Sequence, residues 1–156
     1  MMQNTLFDLP PAKGMRALTW KEPYASLMLY GKIETRTWKT TYRGRVLICA
    51  SKKEYKIDDW CEISGDTQFK RILELVGGFL GLLNLKNTNG YAIATGDLVD
   101  CRPMREQDED RCFVKFSESL WCHIYENVAP INPFPWKGSQ GWRQVPDEII
   151  QSIVYK

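Results

Sequence analysis

Between Lys32 and Trp38 the chain reads Lys-Ile-Glu-Thr-Arg-Thr-Trp. Read as a β-strand, the two-residue alternation places Lys32, Glu34, Arg36 and Trp38 on one face, with Ile33, Thr35 and Thr37 on the other. A base, an acid, a base and an aromatic ring then lie in a row. Charges this close perturb one another, so Glu34 is expected to stay ionised between its two cations. Two chemistries suit the row. The cations can hold a phosphate or a base edge while a base stacks on Trp38. Alternatively, a Lys32–Glu34 pair can activate water as general acid and base. The same spacing also describes an exposed strand carrying a stabilising charge ladder, and spacing by itself leaves these readings open.

The surrounding charge favours an anionic partner. Lys32, Arg36, Lys39, Arg43, Arg45, Lys52, Lys53 and Lys56 face only Glu34 and Glu54 in their segment, whereas the whole chain carries a net charge of just +2. The remainder is therefore net acidic, and the basic segment presents one face to a negatively charged ligand. A second candidate is the loop Lys137-Gly138-Ser139-Gln140-Gly141, whose glycines allow backbone N–H groups to approach a phosphate closely. His123 stands alone in an apolar strand and reads as a satisfied core residue. The residues Glu106, Asp108, Glu109 and Asp110 read as solvated acidic surface. No His, Cys, Asp and Glu set has metal-ligand spacing, so neither metal nor cofactor is expected.

Elements must position these groups. The 156 residues suffice for one domain with a real core, and 44% hydrophobic with 26% charged residues is ordinary globular composition. Residues 1–14 read as a flexible tail and 15–156 as the folded domain. A strand over Arg16–Trp20 leads through Pro23 into a short helix over Tyr24–Tyr30, ended by Gly31. A strand over Lys32–Lys39 follows, then a turn at Tyr42-Arg43-Gly44 and a buried strand over Arg45–Ala50. Helical spacing runs from Lys52 to Asn89, with Gly77, Gly78 and Gly81 weakening the second helix near its end. Further strands are expected over Tyr91–Cys101, bulged at Gly96, over Trp121–Pro130 and over Trp142–Val145, with a closing helix over Pro146–Val154. Short strands with inserted helices predict an α+β fold built on a small mixed barrel, not a βαβ sheet. The odd number of cysteines, five, and the lack of a secretory signal predict reduced thiols and a cytoplasmic monomer. No stretch is long and apolar enough for a membrane span.

The segment WKEPYASLMLYGKIETRTWKTTYRGRVLICASK resembles the ASCH domain family, a branch of the PUA-like superfamily. Pro23, Tyr24, Ala25, Gly31, Lys32, Glu34, Arg36, Thr37, Trp38, Tyr42, Arg43, Gly44, Ile48, Ala50 and Ser51 carry the resemblance. The later GYAIATGDLVDC and CHIYENVAPINPFPWKGSQGW resemble the family's next core strand and its closing strand and loop. Two departures stand out: Glu22 replaces a glutamine, and the stretch from Gly31 to Arg36 is two residues shorter than the usual signature. The resemblance implies a PUA-like barrel whose cleft, beside the first helix, holds RNA or a modified nucleotide. It places Pro23, Tyr24, Arg36, Thr37, Trp38, Arg43, Ser51, Lys52, Lys137, Gly138 and Gln140 at the ligand, and Lys32 and Glu34 at any catalytic step. Some members resemble amidohydrolases that remove the acetyl group from acetylated cytidine, and others are linked to RNA cleavage. The amidohydrolases carry Thr where this chain has Glu34, which argues against that chemistry here; Glu106 or Glu109 would have to supply its later carboxylate. Separately, Gln3-Asn4-Thr5-Leu6-Phe7 resembles the peptide that bacterial replication proteins dock into the sliding clamp. Gln3 would make polar contacts, and Leu6 and Phe7 would fill an apolar pocket.

Overall fold

The structure is a computed structural model that describes residues 14–156. The expected clamp-binding residues Gln3, Leu6 and Phe7 lie outside the described residues. Six strands, β1 (Arg16–Trp20), β2 (Glu34–Arg36), β3 (Gly44–Ala50), β4 (Tyr91–Pro103), β5 (Trp121–Pro135) and β6 (Arg143–Gln144), form one sheet in the order β2-β5-β4-β3-β1-β6. The β1–β3 pair is parallel and every other pair antiparallel.

The sheet curls strongly. β2 and β6 are its two edges, yet Trp38, just past β2, meets Trp142, just before β6, with ring centroids 5.9 Å apart. Tyr42 adds a second contact to Trp142 at 5.1 Å. Register shifts supply the bend, one between β3 and β4 at Ile48/Cys49 and three along the β4–β5 ladder. Gly96 sits at one of them, where a Cβ would lie only 3.1 Å from Val128 Cγ2. The result is a mixed half-barrel with short helices between strands, the α+β architecture that the sequence predicts.

Both faces of the central strands are covered. Val46, Ile48 and Ala50 of β3 join a core with Leu18, Trp20, Ala94 and Leu98, whereas Leu47 and Cys49 join a second one with Met15, Ala17, Ala92 and Ile131. Two-sided burial explains why this strand reads as a continuous apolar run. Helix α1 (Tyr24–Leu27) continues as a 3-10 turn over Met28–Tyr30 and stops at Gly31, whose φ of 82° favours glycine. Helix α2 (Ile57–Val76) is broken at Gly65 and packs Trp60 and Ile72 into the first core. Helix α5 (Asp147–Ser152) covers the second.

Three expectations need correction. The strand expected over Lys32–Lys39 is only Glu34–Arg36, because the Lys32 N–H bonds Leu27 O at 3.3 Å and the Ile33 N–H bonds Arg111 O at 2.9 Å, outside any ladder. Gly77 and Gly78 do not weaken the end of one helix; they separate α2 from an independent helix α3 (Gly78–Leu85). The stretch expected to be solvated acidic loop contains a 3-10 turn over Glu106–Asp108 and helix α4 (Glu109–Cys112). Within it Asp108 is buried, and Arg102 grips both its oxygens at 2.7 and 2.9 Å. Among the described residues no helix is long and apolar enough to cross a membrane.

Candidate ligand-binding site

β2 pairs with β5 so that Glu34 lies opposite His123 and Arg36 opposite Trp121. Directly opposed residues share a sheet face, so Glu34, Arg36 and His123 project together. Lys32 enters from the turn after α1. Glu34 is the hub: its Oε1 accepts from Lys32 Nζ at 2.8 Å and from the Thr35 N–H at 3.0 Å. Its Oε2 lies 2.8 Å from Arg36 Nε, an ion-pair contact whose N–H is not aligned for a hydrogen bond. Burial by itself would push the Glu34 carboxyl up, but the Lys32 and Arg36 cations outweigh it and hold the group below the usual carboxylate range. Lys32 and Glu34 are 3% and 5% exposed, so their charges are spent on each other. A carboxylate held this way, between two cations and below the usual carboxylate range, is a weak base.

Arg36 is the member that reaches outward, with 21% of its side chain exposed. Its Nη2 donates to Thr19 O at 3.1 Å, and its guanidinium carbon lies 5.1 Å from the Trp20 ring centroid and 5.9 Å from that of Trp38. Trp20 in turn meets Tyr125 edge-on, and Trp38 meets His123 edge-on at 5.0 Å. His123 Nε2 is 2.8 Å from Trp38 O. A carbonyl only accepts, so Nε2 carries the proton and Nδ1 is an acceptor. Burial lowers the His123 pKa, which keeps the ring neutral. Trp20 Nε1, His123 Nδ1 and the Tyr125 hydroxyl are all buried without a partner among the described residues. Buried polar atoms are normally paired, so two donors and an acceptor without a protein partner near one guanidinium are an exception to that rule.

No protein-family model and no curated protein matches the chain. Among solved structures, the crystal structure of ASCH from Zymomonas mobilis superposes with a TM-score of 0.51 at 12% sequence identity, covering 90% of this chain and 96% of that one. The fold is that of an ASCH domain. At this identity the likeness speaks for the ASCH fold alone, and the chemistry must come from the residues.

Within the ASCH fold, Lys32, Glu34, Arg36 and Trp38 do come together, although β2 ends at Arg36 and Trp38 follows it outside the strand. Tyr24 is buried beside them, its ring 5.3 Å from Lys32 Nζ and its hydroxyl bonded to Ser64. Gly138 brings the Lys137–Gly141 loop against β1, where a Cβ would lie 2.9 Å from Thr19 Oγ1, next to the carbonyl that Arg36 holds. Lys137 and Gln140 of that loop are exposed. Ser51 donates its N–H to Trp20 O at 2.8 Å, and the exposed Lys52 lies over Gly90. Thr37 and Arg43 are exposed, and Arg43 bonds the carbonyls of Thr40 and Tyr42. Pro23 turns away, into the wall of a separate cavity. Glu109 accepts the Phe116 N–H at 2.6 Å, and Glu106 opens the neighbouring turn. Sequence reasoning missed Trp20 and Tyr125 and took His123 for a satisfied core residue, whereas one of its nitrogens is unmatched. The signal was available in β5, where Trp121, His123 and Tyr125 recur at every second position.

Proposed function

We propose that this chain binds RNA or a modified nucleotide through Arg36, with the rings of Trp20 and Trp38 beside it. The observation that carries this reading is the split of roles in the Lys32–Glu34–Arg36 cluster. Two members are buried and neutralise each other, while the third is held by Glu34 and Thr19 in one orientation with an edge toward solvent. A pre-oriented guanidinium between aromatic rings suits a phosphate or a base edge, because its planar fork gives paired hydrogen bonds to either. Lys39, Arg43, Lys52 and Lys137 are exposed and are the candidate contacts for a longer anionic strand.

The test is fluorescence anisotropy with short single-stranded RNAs, and equilibrium dialysis with mononucleotides, at several salt concentrations. Binding is expected to weaken as salt rises, since phosphate contacts release counterions. Arg36→Ala is expected to weaken it by about tenfold or more, the ordinary size of a paired arginine contact. Salt-independent binding, or binding equal in the variant, would remove the proposal.

A further inference from the structure

A cavity of about 190 Å³ opens between the residues that lead into α1, the start of α2, and α3. Its walls are mostly apolar, with Trp60, Phe79, Leu82 and Leu83 prominent. Phe79 and Leu83 are 58% and 55% exposed, which is unusual for side chains of this size and leaves the mouth accessible. Two carboxylates line it. Glu54 is paired with Lys86 at 3.0 Å. Glu22 is only 4% exposed and is bonded solely within its own turn, to the Ser26 N–H at 2.7 Å and the Ser26 hydroxyl at 2.5 Å. Among the described residues no cation pairs with it. A buried carboxylate ordinarily needs one, since its charge is otherwise costly. Among the described residues Lys86 is the one lysine lining the cavity, and it is already engaged by Glu54.

We propose that this cavity takes a small organic cation, a single apolar or aromatic ring on a short arm ending in a protonated amine, with the amine at Glu22. The size limits the ligand: sites for drug-sized molecules run to roughly 300–1,000 Å³, so this one fits a single ring. Charge sets the functional group, since an ammonium supplies the partner that Glu22 lacks. The exposed Phe79 ring adds apolar surface for the hydrocarbon body, whereas the Tyr55 ring already carries Lys21 Nζ at 4.7 Å. This preference is opposite in sign to that of the Arg36 cluster, so the two proposals stand or fall separately.

The probe is 2-phenylethylammonium, with 2-phenylethanol as its neutral counterpart, titrated into the full chain at pH 8 and followed by NMR. The amine is expected to shift the Trp60 indole N–H and the Phe79 ring signals saturably, and to bind about tenfold or more tightly than the alcohol, as for a desolvated charge pair. Glu22→Gln keeps the shape and should abolish that preference. Leu83→Trp, which fills the mouth from an exposed position, should abolish binding of both probes while circular dichroism stays unchanged. No saturable shift, equal binding of amine and alcohol, or a preference that survives Glu22→Gln would each overturn the assignment.

Discussion

Glu34 and Glu22 are both buried carboxylates beside the same short helix, and the fold treats them in opposite ways. Glu34 has a cation on each oxygen, with Lys32 and Arg36 both at 2.8 Å. Its charge is compensated from within, and Arg36 is held against it. Glu22 has only the hydroxyl and N–H of Ser26, and burial raises its pKa to about 7, the hydrogen bonds from Ser26 offsetting only part of the shift. The contrast separates two kinds of buried charge. One is complete and organises a neighbour; the other is incomplete and invites a partner, whether a proton or a ligand. Burial alone therefore says little about the role of an ionisable group until its partners are counted.

The comparison breaks most visibly at Lys32. Lys32→Met leaves Glu34 with one cation in a dry site, and the loss is expected to be about 3–5 kcal/mol by urea denaturation at pH 7. A loss below about 1 kcal/mol would mean that the cluster is not charge-tight. The pH dependence has a definite sign. Because the folded pKa of Glu34 is depressed, its contribution is full above the ordinary value of 4.5 and is lost as pH falls through the folded value. Glu22 behaves in the reverse sense. Its folded pKa is raised, so it costs stability as pH climbs from 4.5 to about 7, and the cost then levels off. Glu22→Gln should accordingly stabilise the protein at pH 8 by roughly 3 kcal/mol and leave it close to the parent at pH 4.5. Thermal melts at the two pH values check this, and a pH-independent effect of the substitution would contradict it.

Arg36→Lys sharpens the comparison at a smaller scale. It retains the positive charge beside Glu34 but removes the planar fork, so stability should change by less than about 1 kcal/mol while RNA binding weakens about tenfold. Arg43→Ala is the mildest case. Arg43 is exposed and its nearest carboxylate is Asp100 at 3.9 Å, so stability should move by less than about 0.5 kcal/mol. If the RNA strand passes it, the slope of log affinity against log salt should fall by about 1.

Much of this fold was legible because its signals were local. The largely apolar run over Arg45–Ala50 reported a buried strand, and Gly31 reported the end of α1. The Glu34–Arg36 part of the cluster was legible for the same reason, since residues two apart in a strand face the same way, whereas Lys32 joins it from the turn after α1. What escaped depended on partners distant in the chain. Trp20 meets both Arg36 and Tyr125 only because β1 and β5 curl around a common interior. The stretch from Met104 to Arg111 looked solvated because Asp108 was read without Arg102, which grips it from β4. The setting of Glu22 was hidden too: the sequence shows an acid before Pro23, but not that it is buried with only Ser26 bonded to it among the described residues.

The most direct measurement is a carbon-detected NMR titration of the glutamate side-chain carboxyls between pH 4.5 and 8.5. One resonance should titrate with a midpoint near 7 and disappear in Glu22→Gln, while the Glu34 resonance stays at its ionised shift throughout. A Glu34 carboxyl that takes up a proton within that range would show that its cations do not hold it. The division between a self-compensated cluster that aims Arg36 and an uncompensated carboxylate awaiting a partner would then be wrong.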